Sequence, residues 1–141
     1  MSKQKQARRL ASNEAEAKLV GVRTSAQKAR LVMDLIRGKT VEQALTLLTF
    51  DRKKSSAFAK RLLQSAVANA ENNHKLNVDQ LVVAKAFADK GFVLKRGMAR
   101  ARGRWGKILK PTCSMTVVVA ERAKAEKTTK TEKKTAKGGQ A

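Results

Sequence analysis

The sequence predicts an α+β domain: a small three-stranded antiparallel sheet packed on three helices, with a long protruding β-hairpin and a disordered basic C-terminal tail. Three observations lead there. Apolar residues recur at helical spacing three times between Thr24 and Asn73. After His74 that spacing gives way to Val- and Ala-rich runs, the clearest being residues 114–120, which are β-branched and preceded by Pro111. Between these runs lies a stretch, residues 94–110, that holds Lys95, Arg96, Arg100, Arg102, Arg104, Lys107 and Lys110 and no acid at all. The order strand, three helices, strand, hairpin, strand suits helices laid against one small sheet.

Each element has its local signal. Residues 18–23 alternate enough to form a first strand. Thr24 and Gln27 are spaced as a capping box, and Ala29, Val32, Met33 and Ile36 then make one helical stripe. Gly38 is placed to end that helix in a left-handed conformation. Thr40 and Gln43 repeat the capping signal ahead of Val41, Ala44, Leu45 and Leu48. Asp51 is expected to cap a third helix with the stripe Ala59, Leu62, Leu63, Ala66, Val67 and Ala70, ending near Asn72 and Asn73. The small residues on that stripe predict close packing on another element. Residues 80–88 read as a strand. Residues 92–98 and 104–109 read as the arms of a hairpin with Gly103 near its tip. At about ten residues an arm and ~3.3 Å per residue, the tip reaches roughly 30 Å from the sheet.

Composition divides the chain into a basic N-terminal extension (1–17), a folded domain (18–122, with the hairpin at about 90–112) and a tail (123–141). The tail has no Leu, Ile, Val or aromatic residue, so it cannot bury enough apolar surface to offset its ordering entropy. The whole chain of 141 residues carries a formal net charge of +21. That balance points to a polyanionic partner, above all nucleic acid. No apolar run is long enough to span a membrane, and the polar, basic first ten residues do not resemble a secretory signal. The single cysteine, Cys113, forbids an internal disulfide and a multi-cysteine metal site, and fits a reducing cytoplasm.

Catalysis has little to work with. His74 is the only histidine and lies in a polar context; Cys113 has no histidine near it in sequence and reads as a packed small residue. The glycines at 91, 97, 103 and 106 fit no phosphate-loop or dinucleotide pattern. The chain is therefore expected not to be an enzyme and to need no metal or other cofactor. The cations carry the information. Arg8, Arg9, Arg23, Lys28, Arg30, Arg37 and Lys39 cluster before and along the first helix, with only Asp34 to compensate them between Val20 and Thr40. Lys95, Arg96, Arg104, Lys107 and Lys110 line the hairpin arms. The first helix begins Ser25-Ala26-Gln27, which offers little for reading DNA bases. The aromatic residues, Phe50, Phe58, Phe87, Phe92 and Trp105, are scattered, so no aromatic stacking platform for single strands is expected. The pattern suits a grip on folded RNA by shape and phosphate, with an arm inserted into it. A free-standing nucleic-acid-binding protein, histone-like or an RNA chaperone, is the alternative.

Three segments resemble bacterial large-subunit ribosomal protein family twenty-two: residues 23–39 its first helix, residues 64–73 the end of its third, and 94–96, 100–104 and 107–110 its extended hairpin. That resemblance implies a structural role in the large ribosomal subunit, in the cytoplasm. It implies binding to large-subunit (23S) ribosomal RNA, contacts with neighbouring large-subunit proteins and a part in early assembly. It implies a hairpin tip, Ala99, Arg100, Ala101, Arg102 and Gly103, that meets the nascent peptide at the wall of the exit tunnel. The chain departs from many members at Ala99, Trp105, Pro111 and Ser114.

Overall fold

The computed structural model describes residues 10–122; Arg8, Arg9 and the tail 123–141 lie outside the described residues. Strand β1 (Glu14–Val22) is followed by helices α1 (Ala26–Ile36), α2 (Val41–Phe50) and α3 (Lys54–His74), and then by strands β2 (Leu81–Ala99) and β3 (Trp105–Glu121). The sheet is antiparallel in the order β1-β3-β2, so β3 is central and the other two are edges. The α+β class and the three-stranded sheet are as the sequence predicts. The boundaries differ in informative ways.

β1 starts at Glu14 rather than Lys18, because Ala15 and Ala17 already point inward opposite Val119 and Val117. Ser25, not Thr24, caps α1: its hydroxyl accepts the Lys28 N–H at 3.4 Å, while Thr24 is held in a tight turn by its own N–H to the Val22 carbonyl. Thr40 caps α2 through the Gln43 N–H, as expected. Asp51 lies three residues before the start of α3, whose cap position is taken by Lys53, so it supports the helix start without occupying the cap. It accepts the Lys53 N–H at 3.2 Å and the buried Ser56 hydroxyl at 2.6 Å. The Ser56 hydrogen bond, helped by the Lys53 N–H and ammonium, holds the Asp51 carboxyl below its ordinary pKa. α3 continues to His74 and ends with Lys75 in the left-handed region, its amide and that of Leu76 bonding back to Glu71 and Ala70. Gly38, with φ +76°, closes α1.

Two long strands replace the separate pieces read from sequence. The body strand 80–88 and the first hairpin arm are one strand, and the second arm runs into 114–120. Irregularities between Val83 and Lys85 and between Lys90 and Val93 interrupt the β2–β3 register. The first resets the phase of β2, so its inward residues are Leu81 and Val83, then Ala86 and Ala88. At the second, Gly91 lies so close to Thr112 that an added Cβ would come within 2.7 Å of its hydroxyl, and that hydroxyl donates to the Phe92 carbonyl at 2.6 Å.

The core forms where the helices cover one face of the sheet. Met33 and Ile36 of α1, Leu63 of α3, and Val83, Met115, Val117 and Val119 of the strands are fully buried. Three alanines of α3, at 59, 66 and 70, are buried and let that helix approach β1 closely; Asn69 adds a hydrogen bond to the Glu16 carbonyl at 3.1 Å. Cys113 is fully buried, and burial pushes its thiol above the ordinary range. A neutral, enclosed thiol is inert. We therefore expect a thiol-specific disulfide reagent at neutral pH to leave Cys113 unmodified until denaturant opens the fold. Rapid labelling of the native protein would contradict that placement.

Candidate nucleic-acid interface

The hairpin leaves the body where burial stops, at Ala88 on β2 and Thr112 on β3. From there the arms stay paired, Val93 opposite Pro111 through to Ala99 opposite Trp105. Residues directly opposite one another share a face in an antiparallel pair. One face thus carries Lys95, Gly97, Ala99, Trp105, Lys107 and Leu109, and the other Leu94, Arg96, Met98, Gly106, Ile108 and Lys110. Both faces are largely exposed along the projecting part. This explains the poor alternation in the sequence: with no core on either side, nothing selects an apolar face.

The two glycines opposite large side chains are seats rather than points of slack. A Cβ on Gly97 would lie 2.7 Å from Trp105 Cε3 and 2.8 Å from Cζ3. A Cβ on Gly106 would lie 3.1 Å from Arg100 Nε. Each glycine leaves room for the side chain beside it. At the tip, Ala101–Gly103 make a single tight turn, with Arg102 (φ +57°) and Gly103 (φ +69°) both left-handed. The Arg100 N–H closes the loop on the Arg104 carbonyl at 2.8 Å.

The electrostatics are one-sided. Among the described residues the ion pairs are Arg37–Asp34, Lys53–Asp51 and Lys85–Glu14, and none involves a hairpin cation. The hairpin cations are exposed, and among the described residues no carboxylate pairs with them.

At the hairpin root the structure adds residues that the sequence reading missed. A groove of about 800 Å³ is lined by Arg23, Ser25 and Lys28 at the start of α1, by Lys53, Lys54 and Ser55 at the start of α3, and by Lys110 and Pro111 of β3. It therefore joins two helix N-termini and five cations. The first turn of α3 holds no acid, and its cap residue, Lys53, makes no side-chain cap bond. Cations at a helix N-terminus oppose the helix dipole, whereas an anion there is favoured. The signal available in the sequence was the run Arg52-Lys53-Lys54 directly before the third apolar stripe.

The cations on α1 divide. Lys28 and Arg23 are exposed and open to the groove. Lys39 lies half-buried in the α1–α2 connection. Arg30 and Arg37 reach across to β2: Arg30 Nε donates to the Ala88 carbonyl at 3.0 Å and an Arg37 terminal nitrogen to the Ala86 carbonyl at 2.6 Å. β2 is an edge strand, and its outward carbonyls have no strand partner. The α1–α2 connection protects the same edge nearer its start, with the Gly38 N–H donating to Val83 and the Val83 N–H to Lys39. The two arginines therefore hold α1 to the sheet. Replacing both with alanine is expected to lower stability by about 1–2 kcal/mol, since each loses a charge-assisted bond that is partly open to solvent. Urea denaturation measures this; an unchanged midpoint would show that the bonds contribute nothing.

Among the described residues no group of acids, histidine and cysteine is arranged to hold a metal, and no helix is long and apolar enough to cross a membrane. What the geometry defines is a small α+β domain with a projecting cationic β-arm and a cationic groove at its base. Residues 17–120 match the ribosomal protein L22p/L17e family. Curated relatives include "Large ribosomal subunit protein uL22" of Jannaschia sp. (strain CCS1), 57% identical over 121 residues, covering 86% of this chain and 96% of the relative. The protein of the same name from Maricaulis maris (strain MCS10) is 59% identical over 114 residues, covering 81% and 90%. That from Rhodospirillum rubrum is 56% identical over 122 residues, covering 86% and 97%. The chain belongs to this family of structural, non-enzymatic ribosomal proteins.

Proposed function

We propose that the chain is a structural constituent of the large ribosomal subunit that binds large-subunit ribosomal RNA, supports early assembly and carries its hairpin tip to the wall of the nascent-peptide tunnel. The observation that carries this reading is the arm itself. Between Lys90 and Thr112 every charged residue is a cation, and the strands hold those cations on both faces of a projection about 30 Å long. Such an arm is self-repelling in water and is neutralised on all sides only when RNA surrounds it. The relatives' name places them in the large subunit. Lys95, Arg96, Arg104 and Lys107 bind phosphates along the arm. Lys110 joins Arg23, Lys28, Lys53 and Lys54 at its root, Lys39 and the remaining guanidinium nitrogens of Arg30 and Arg37 bind further phosphates, and Arg8 and Arg9 bind RNA as well. Arg102, exposed in the tip turn, meets the nascent chain with Ala99, Arg100, Ala101 and Gly103 around it.

Sedimentation of a lysate containing the tagged protein tests the assignment. Nearly all of it is expected with large subunits and whole ribosomes. A spread over bulk nucleic acid would favour the free-standing binding protein instead. A photo-crosslinker at position 102 tests the tunnel contact: stalled ribosomes should give adducts with the nascent peptide, and adducts with RNA alone would place the tip elsewhere.

A further inference from the structure

Trp105 is the only tryptophan in the chain, and 77% of its surface is exposed. Exposure on that scale for the largest apolar side chain needs a reason. Its position is built. The Cε3–Cζ3 edge rests on Gly97, diagonally across the strand pair, at a site no side chain larger than hydrogen could occupy without displacing it. An edge-seated ring is held in place yet keeps its faces open. Lys107, directly opposite Gly97, and Lys95, one row further from the tip, lie on the same face of the hairpin. Among the described residues no carboxylate pairs with either.

We propose that Trp105 is a stacking platform for one unpaired RNA base, with Lys107 and Lys95 receiving the phosphates on either side of that nucleotide. The inference rests on the reading of the arm as an RNA-binding element and deepens it. Phosphate contacts alone would make the arm indifferent to whether the RNA is paired. An open indole beside two ammonium groups adds a preference for a base that has left its helix, because stacking needs a free π-face. The charge surroundings select a nucleotide over an apolar protein side chain, because packing such a side chain there would strip water from two lysine ammonium groups and return no counter-charge.

The single tryptophan reports on its own site. The full-length protein is titrated at low salt with a short single-stranded oligoadenylate, with an RNA duplex of the same length and with inorganic polyphosphate. Oligoadenylate is expected to quench Trp105 emission strongly, and the duplex and polyphosphate weakly. Trp105→Ala should weaken oligoadenylate binding about 5- to 100-fold while leaving duplex binding within about twofold, and Trp105→Phe should retain most of the single-strand affinity. Lys95→Ala with Lys107→Ala should weaken binding to both RNAs. Equal quenching by polyphosphate, or undiminished oligoadenylate binding by Trp105→Ala, overturns the platform while salt-dependent duplex binding leaves the RNA-binding reading standing. No binding to either RNA removes both. Oligoadenylate affinity unchanged in Trp105→Ala, with incorporation into subunits lost, assigns the indole to a neighbouring protein and likewise overturns the proposal.

Discussion

Raising the salt concentration from 50 to 200 mM is expected to weaken binding of this protein to large-subunit RNA by roughly two to four orders of magnitude. The figure follows from the count of open cations. The arm offers Lys95, Arg96, Arg104 and Lys107, and the root groove offers Arg23, Lys28, Lys54 and Lys110, with Lys53 beside them in a 3.9 Å pair with Asp51. If about six to eight of these neutralise phosphates, log K falls against log salt with a slope of about −4 to −7. Arg30 and Arg37 are counted apart from these, because each gives one guanidinium donor to a β2 carbonyl and keeps only its remaining nitrogens for phosphate. Filter binding or anisotropy across a salt series gives the slope directly. Substituting Lys53 and Lys54 by alanine should reduce its magnitude by about 1–2 if the groove holds phosphate. A slope near zero would remove the phosphate-gripping account of both arm and groove, and an unchanged slope in the double variant would remove the groove alone.

The second large effect lies in the core. Leu63→Ala should destabilise the domain by about 2–5 kcal/mol. Leu63 is fully buried on α3, among side chains of the helices and the sheet. Truncation removes the transfer free energy of its methyl groups and leaves a cavity that a sheet pinned by three strands and three helices relaxes into only partly. A domain of this size has little stability to spare, so a loss at the upper end leaves a large unfolded fraction at growth temperature. Thermal or urea denaturation measures it, with Lys28→Ala as the contrast: that side chain is exposed at the groove and its loss should leave the midpoint almost unmoved while weakening RNA binding. A stable Leu63→Ala protein would mean that the α3 stripe does not carry the packing assigned to it.

The stripes of all three helices were legible in the sequence because each has one buried face, and burial imposes helical spacing on the apolar residues. Val32, Met33, Ile36, Ala44, Leu48, Leu62 and Leu63 all occupy the buried positions that spacing assigns. The strand at 114–120 was legible for a related reason: it is central in the sheet, buried on the helix side, and flanked by neighbours on both edges. The cationic arm could be read from charge alone, since a stretch of cations without acids needs no fold to be recognised.

The rest was decided by tertiary structure. Continuity of the hairpin with the body strands was hidden because two register irregularities reset the alternation and because the projecting arms have no buried face to impose one. The division of labour among the α1 arginines was also invisible. Arg30 and Arg37 sit off the apolar stripe like Lys28, and only the placement of β2's free edge beside α1 turns two of the three into tethers. The root groove brings together residues from 23–28, 53–55 and 110–111, which no local pattern relates. Gly97 and Trp105 look in sequence like slack and an isolated aromatic. Paired across the strands they become a seat and the ring it supports. The sequence by itself determined the elements, the core positions and the sign of the partner's charge, since each depends on residues near one another in the chain. Which cations stay open to that partner depends on which backbone carbonyls the fold leaves unpaired beside them, and that is settled only when distant segments meet.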